Sequence, residues 1–194
     1  MNETAKAMRR RWCEDARGEF PWRAAFSGKG IDIGCGPDKV PFDTCIGFDQ
    51  EDGDANKLST YFPAEAFDYI HSSQSLEHMH DPNVLWNDWL KLLRRGGYAI
   101  VTVPSWELYE GMRWPSVYNP DHKSTWSMGL KGSPAGRNHI HVPSWLTAHE
   151  NLGQTLIARQ LDANYDYRIG TSRDQTYIEA DGVEPWIEFV LKKL

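Results

Sequence analysis

The chain has 194 residues, of which 40% are hydrophobic and 25% charged, and its formal net charge is −6. These values indicate one globular domain, spanning 1–194, with a substantial core, and they argue against a broad nucleic-acid surface, which needs a basic stripe. No apolar run approaches the roughly 20 residues of a membrane span, and the first residues lack a signal-peptide core. Three cysteines form no paired framework, so we expect reduced thiols and a cytoplasmic protein.

The N-terminal segment 2–17 predicts a helix, because it lacks Gly and Pro and places Ala5, Met8 and Trp12 at helical spacing. Gly18 and Pro21 end it. The basic run 9–11 has two interpretations that stay open here. It forms a solvated face, as Arg usually does, or its helix covers the mouth of a binding site.

The run 30–37, Gly-Ile-Asp-Ile-Gly-Cys-Gly-Pro, predicts a buried strand over about 30–33 that enters a glycine turn. Gly34 and Gly36 permit positive φ or the close approach of a bulky ligand. Asp32 precedes the turn, and its carboxylate can bind the ligand for which the glycines leave room. Dinucleotide-binding folds need a third glycine where this chain has Lys39, so the turn disfavours an NAD-dependent oxidoreductase.

A second strand is predicted at 45–49, and it ends in Asp49. A carboxylate at the end of a second strand is placed to accept hydrogen bonds from both hydroxyls of an adenosine ribose. The alternative is that Asp49 only forms the turn at the strand end, but the glycine turn upstream favours ribose binding. The segment between Gly36 and Cys45 is too short for a full crossover helix and carries two prolines. The segment 50–66 leaves room for a vestigial third strand at most. We therefore expect trimmed helices after strands 1 and 2.

Downstream, the pattern predicts a strand at 67–71, a loop at 72–79 and a helix that opens at Asp81-Pro82. Gly96-Gly97 end that helix, with Arg94 and Arg95 at its C-terminal dipole, and a strand follows at 98–103. The segment 105–142 is irregular and rich in Gly, Pro, Trp and His, which favours a lid or substrate-recognition insertion. A helix capped by Ser144 or Thr147 and reaching about Asp162 comes next. Alternating strands at 165–169 and 186–191 complete the prediction.

The order of these motifs over residues 30–104 resembles that of small class I S-adenosylmethionine-dependent methyltransferases. The resemblance rests on 31–37 (Ile-Asp-Ile-Gly-Cys-Gly-Pro), on 67–78 (Phe-Asp-Tyr-Ile-His-Ser-Ser-Gln-Ser-Leu-Glu-His) and on 92–98 (Leu-Leu-Arg-Arg-Gly-Gly-Tyr). It implies a Rossmann-like α/β fold whose mostly parallel sheet has about seven strands, one of them antiparallel. It also implies S-adenosylmethionine as the cofactor and S-adenosylhomocysteine as its product.

The resemblance also implies ten cofactor-binding residues. They are Asp32, Gly34, Cys35 and Gly36 at the methionine part, Asp49 at the ribose, Gln50, Asp54 and Ala55 at the adenine, and Ser73 and Gln74 beside the methionine and the methyl group. Because the segment 50–66 is short, Glu51 or Asp52 is an alternative to Asp54. The acceptor is expected to be a small molecule or a glycan, and the segment 105–142 to bind it.

A general base is needed only where the acceptor is a hydroxyl or a protonated amine. His78 faces either the donor or the core, and the adjacent Asp121 and His122 offer an oriented base. The spacing of His139 and His141 permits a metal, but no acidic third ligand is evident nearby, so we predict no metal site. His141 is the preferred catalytic base.

The aromatic residues of the insertion, namely Trp106, Trp114, Tyr118 and Trp126, either stack on the acceptor or anchor the insertion on the sheet. The alternative function is a catalytically inactive methyltransferase-like module that binds S-adenosylmethionine or serves assembly. A nucleic-acid substrate is disfavoured, because the loop 72–75 reads Ser-Ser-Gln-Ser instead of the Asn/Asp-Pro-Pro-aromatic motif of amino-group methylation. The oligomeric state is not predicted.

Overall fold

The computed structural model describes residues 3–129, 138–177 and 183–194. Its main sheet has six strands, and a small second sheet has two. In chain order the strands are β1 (Gly30–Ile33), β2 (Cys45–Phe48), β3 (Phe67–Ser73), β4 (Leu93–Pro104), β5 (Thr125–Ser127), β6 (His139–His141), β7 (Gly153–Gln160) and β8 (Trp186–Lys193). The main sheet runs β2-β1-β3-β4-β8-β7, and β5 pairs with β6.

The sheet is mostly parallel with one antiparallel strand, as predicted. Strands β1 to β4 pair in parallel, whereas β8 runs antiparallel to both β4 and β7. The strand count is six instead of about seven, because the described chain forms no strand between β2 and β3. A short 3-10 helix at Ala55–Thr60 occupies that crossover.

The crossover from β1 to β2 is a loop without a helix, which confirms the predicted trimming. Val40 anchors this loop, since its side chain is buried and its backbone N–H donates to Asp32 Oδ2 at 2.7 Å. In other folds a crossover helix fixes the path of the chain between two neighbouring parallel strands. Here the Asp32 carboxylate fixes part of that path by its hydrogen bond to the loop.

Four helical segments pack on the sheet: α1 (Glu3–Ala16), α2 (Trp22–Ala25), α3 (π-helical Leu85–Trp89 followed by α-helical Leu90–Leu92) and α4 (Val142–Thr147). The prediction that Arg94 and Arg95 end a helix is wrong, because β4 already begins at Leu93. No helix among the three described ranges combines the length and apolar character needed to cross a membrane.

Two predictions for the C-terminal part are also wrong. The helix expected to reach Asp162 ends at Thr147, and β7 follows it and pairs with β8. The strand expected at 165–169 is a turn region outside the sheet. Strand β8 is confirmed in place, but its first six residues are all buried instead of alternating, because it lies between two neighbours with both faces covered.

The sheet has a helix-covered core on each face. Met8 of α1 and Phe26, just after α2, pack with Tyr69 and Ile100 on one face. On the other face α3 and α4 pack against residues such as Ile70, which neighbours Tyr69 in sequence and so points the opposite way. Of the two interpretations of the run 9–11, the solvated face is wrong for two of the three arginines, since Arg11 is fully buried and the Arg10 guanidinium is ion-paired.

The described part of the segment 105–142 packs against the sheet with buried aromatic rings. Trp106 and Trp126 have no exposed surface, and the Tyr118 hydroxyl donates to the Thr171 carbonyl at 2.6 Å. Trp114 is 38% exposed. Three of the four aromatic residues therefore act as anchors. Residues 130–137 of this insertion lie outside the described residues.

Candidate functional site

A cavity of about 350 Å³ lies at the carboxyl ends of β1, β2 and β3. This edge is where ligands bind in open α/β sheets. Seven of the ten residues that the sequence assigns to a cofactor line this one cavity: Gly34, Gly36, Asp49, Gln50, Asp54, Ala55 and Gln74. Glu51 and Asp52, the alternatives to Asp54, do not line it.

The two turn glycines differ in their surroundings, although both have positive φ, +69° at Gly34 and +54° at Gly36. A Cβ at Gly34 would lie 1.8 Å from Ser75 Oγ, so only glycine fits there. A Cβ at Gly36 would meet nothing within 4 Å and would project into open space. The turn thus leaves the cavity floor as bare backbone at Gly36, which a ligand can approach closely.

We expect Gly34→Ala to lower the free energy of unfolding more than Gly36→Ala does. The second change adds only the left-handed strain, about 1–2 kcal/mol, whereas the first adds a collision with Ser75 to the same strain. Urea denaturation of both variants provides the measurement. Equal losses of stability would contradict the packing described for Gly34.

Asp49 follows β2 and holds the glycine turn in place. Its Oδ2 accepts from the Gly36 N–H at 2.6 Å, and its Oδ1 accepts from the Gln50 N–H at 2.7 Å. Each carboxylate oxygen has two lone-pair sites, so both oxygens keep acceptor capacity toward the cavity. Asp54 caps the 3-10 helix by accepting from the Asn56 N–H at 2.9 Å. The hydrogen bonds from Asn56 hold the pKa of Asp54 below its usual value.

Three predicted residues do not line the cavity. Asp32 is buried on the α1 side of the sheet, where its Oδ1 accepts from His71 Nδ1 at 2.6 Å. Ser73 Oγ accepts from Thr102 Oγ1 at 2.8 Å. Cys35 Sγ lies against the backbone of Gly47 in β2, and burial raises the pKa of this thiol. The structure therefore places these three residues behind the turn or beside the cavity.

Gln74 lies between this cavity and a second, smaller one of about 140 Å³, and it lines both. Its φ is +56°, a strained value for a residue other than glycine, and its N–H donates to the Thr102 carbonyl at 3.0 Å. Its buried Nε2 has no hydrogen-bond partner among the described residues. A strained backbone and an unsatisfied donor at one residue indicate a ligand-binding position.

Two histidines line the smaller cavity together with the buried Glu77. His78 Nδ1 donates to Asp121 Oδ2 at 2.9 Å, and His122 Nδ1 donates to Glu110 Oε1 at 2.5 Å. Burial, and then the neighbouring His122, lower the pKa of His78. Sequence reasoning named both histidines as candidates but missed Glu77 and Glu110.

His141, the base preferred from the sequence, lines neither cavity. It precedes α4, and its Nδ1 forms a hydrogen bond with Ser144 Oγ at 2.8 Å. Both ring nitrogens of His139 are engaged as well, with Thr125 Oγ1 at 2.9 Å and Ser127 Oγ at 3.2 Å. The structure thus brings His78 and His122 to the cavities and leaves the 139–141 pair outside them.

A family model described as "Methyltransferase domain" matches residues 5–150 of this chain. A search of curated proteins finds no match. Solved structures do match. A methyltransferase of Archaeoglobus fulgidus, titled S-adenosylmethionine-dependent, has a TM-score of 0.58 and 15% identity, with 98% of this chain and 94% of that one covered.

Two further structures show the same fold. A Haloferax volcanii methyltransferase, solved in complex with the Trm112 methyltransferase activator, has a TM-score of 0.55 and 13% identity and covers 100% of this chain and 99% of its own. Phosphoethanolamine N-methyltransferase 2 of Haemonchus contortus, solved with S-adenosyl-L-methionine, has a TM-score of 0.51 and 15% identity, with 86% and 48% covered. The chain belongs to the methyltransferase domain family and has the fold of the class I S-adenosylmethionine-dependent methyltransferases.

Proposed function

We propose that this protein transfers a methyl group from S-adenosylmethionine to a small-molecule or glycan acceptor. One observation carries the proposal: the larger cavity, lined by seven of the predicted cofactor residues, shares two lining residues, Gln74 and His78, with the smaller cavity. A methyl donor in the first cavity and an acceptor in the second would therefore face each other across these two side chains.

The residues present fit the cofactor. Gly36 offers bare backbone, Asp49 keeps acceptor capacity for ribose hydroxyls, and the unsatisfied Gln74 Nε2 can donate to the methionine carboxylate. S-adenosylmethionine supplies a methyl group activated by its sulfonium when bound. The chain then has to hold the acceptor in line with that methyl group, and positioning of this kind supplies much of the rate enhancement.

The smaller cavity supports an acceptor of modest size. Its volume of about 140 Å³ is below the roughly 300 Å³ at which drug-sized ligand pockets begin. Only the reacting group and its close neighbours would enter, and the insertion 105–142 would act as the lid over the rest. We also propose that residues 1–194 form one domain and that the protein is cytoplasmic. The three free cysteines support the cytoplasmic setting, because disulfides are rare there.

A ligand-binding or assembly module without turnover is the second candidate, and we add a protein activator as a candidate partner. The Haloferax neighbour supports the partner, since its structure contains the Trm112 activator. The acidic net charge and the small acceptor cavity still argue against a nucleic-acid substrate. Binding of the donor with no product from any acceptor would favour the module.

We expect S-adenosylhomocysteine at 100 times its dissociation constant to stabilise the protein by about 2.7 kcal/mol. For a chain of this length that raises the melting temperature by roughly 5–10 °C. Thermal unfolding with S-adenosylhomocysteine, with S-adenosylmethionine and with NADH as the control provides the measurement. No shift with either of the first two would overturn the proposed donor. Screening a metabolite extract for methylated products then separates the enzyme from the module.

A further inference from the structure

We propose that Glu77, His78 and His122 bind a divalent transition-metal ion, Zn²⁺ being the ion that this donor set fits, in the wall of the smaller cavity. Two imidazoles and one carboxylate are the protein ligands of several catalytic zinc sites. From the sequence alone we predict no metal site, because we consider only His139 and His141 as ligands and find no acidic third ligand near them. The fold instead brings His122 from the insertion to a Glu-His pair more than 40 residues earlier.

The three side chains converge on one point. His78 Nε2 lies 3.9 Å and His122 Nε2 lies 3.8 Å from the same atom, Glu77 Oε1. All three ligand atoms lie within 4.8 Å of one another. Ligands about 2.0–2.1 Å from a tetrahedral zinc ion are about 3.3 Å apart, so small side-chain rotations bring the set to coordination distance.

Each histidine is oriented by a carboxylate on its other nitrogen. Asp121 accepts from Nδ1 of His78, and Glu110 accepts from Nδ1 of His122. With the proton on Nδ1, the lone pair of each ring is on Nε2, the atom that faces Glu77. A carboxylate behind a ligand histidine is the usual supporting arrangement at zinc sites, where it fixes the tautomer and raises the basicity of the ring.

The backbone holds the two contributing segments together. The N–H groups of Lys123 and Ser124 donate to the Glu77 carbonyl at 2.8 and 3.2 Å. Glu77 is fully buried and His122 is 6% exposed. The two segments that carry the ligands are therefore held together before any ion binds. This lowers the entropic cost of assembling the site.

Three protein ligands leave one coordination position open, and Gln74 and His78 link this cavity to the donor cavity. If the proposed function holds, on which this step rests, the acceptor's reacting group is a hydroxyl. The acceptor oxygen forms the new bond to the methyl carbon, the bond from that carbon to sulfur breaks with its electron pair staying on sulfur, and the hydroxyl proton leaves to water. An ion at this position would lower the pKa of an oxygen ligand and so favour the loss of that proton.

The test is a titration of Zn²⁺ into the full chain after treatment with a chelator. We expect one equivalent to bind, to raise the melting temperature, and to be replaceable by Co²⁺ with visible absorption bands. Glu77→Gln and His122→Ala should weaken this binding by more than about 100-fold. His149→Gln is the control, because it removes a histidine that lies outside the cluster and bonds the Trp145 carbonyl instead.

Each variant is also titrated with S-adenosylhomocysteine without metal. A retained stabilisation by that ligand shows that Glu77→Gln is folded and that the proposed donor is correct. Stabilisation by S-adenosylhomocysteine together with no binding of Zn²⁺ to the wild-type chain would overturn the metal site alone. Zn²⁺ binding that survives in Glu77→Gln and in His122→Ala would overturn it as well, because the ion would then be elsewhere.

Discussion

Replacing Glu188 by Gln is expected to lower the free energy of unfolding by about 3–5 kcal/mol, the loss typical of breaking a buried ion pair. The Glu188 carboxylate is fully buried and accepts from three guanidinium groups. The distances are 2.8 Å from Arg10 Nη2, 2.9 Å from Arg11 Nε and 2.6 Å from Arg159 Nη2. Gln keeps the shape of the side chain but removes the charge, so the buried Arg11 loses its counter-ion.

The cluster around Glu188 is balanced in charge, which is why removing one member is costly. Arg10 also pairs with Glu184, and Arg159 donates to Glu14 at 2.7 Å, so three carboxylates face three guanidiniums. Urea denaturation of Glu188→Gln gives the measurement. Glu19→Gln is the matched control, because it makes the same chemical change in an exposed pair with Arg17, where a much smaller loss of stability is expected. Equal losses in the two variants would contradict the role of burial.

The same residue predicts how stability changes with pH. Burial alone would raise the pKa of Glu188, but the charges of Arg11 and Arg10 outweigh burial and hold that pKa at about 2, below the ordinary 4.5. A carboxyl whose pKa is depressed on folding adds stability that is fully present above pH 4.5 and is lost as pH falls toward 2. The wild-type chain should therefore lose stability over this range, and Glu188→Gln should lose less.

The strands at the start of the sheet could be predicted because their signals are local. Two apolar runs predict β1 and β2. One ends in the glycine turn and the other in Asp49, so each run also predicts which residues lie at the carboxyl end of its strand. The segment Gly153–Gln160 carried no such signal. It is rich in residues that favour helices, but its backbone groups bond to β8 instead, so tertiary pairing overrides local propensity.

Polar residues behave in the same way. The run 9–11 looks like a solvated face in sequence, because Glu188, the buried carboxylate that both Arg10 and Arg11 bind, lies more than 170 residues away. Likewise, the role of Glu110 as the partner of His122 follows only from their contact in the fold. The donor side of the candidate site follows from local motifs, whereas the acceptor side depends on which loops the fold brings together, and no spacing in the sequence reports that.

Replacing Asp49 by Ala is expected to weaken binding of S-adenosylhomocysteine by about 1.5–3 kcal/mol, which is roughly 10- to 150-fold in the dissociation constant. Two losses combine in this variant. The ribose hydroxyls lose a charged acceptor, and the Gly36 N–H loses the oxygen that lies 2.6 Å away and holds the turn. Isothermal titration calorimetry on the wild-type chain and on the variant provides the measurement.

Glu51→Ala is the matched control for Asp49→Ala. It removes the same charge two residues further along, from an exposed side chain that does not line the donor cavity. A weaker affinity in Asp49→Ala with an unchanged one in Glu51→Ala would assign the effect to the carboxylate at the end of β2 and not to net charge. If Asp49→Ala binds as tightly as the wild-type chain, the ribose lies elsewhere, and the orientation proposed for the donor is wrong.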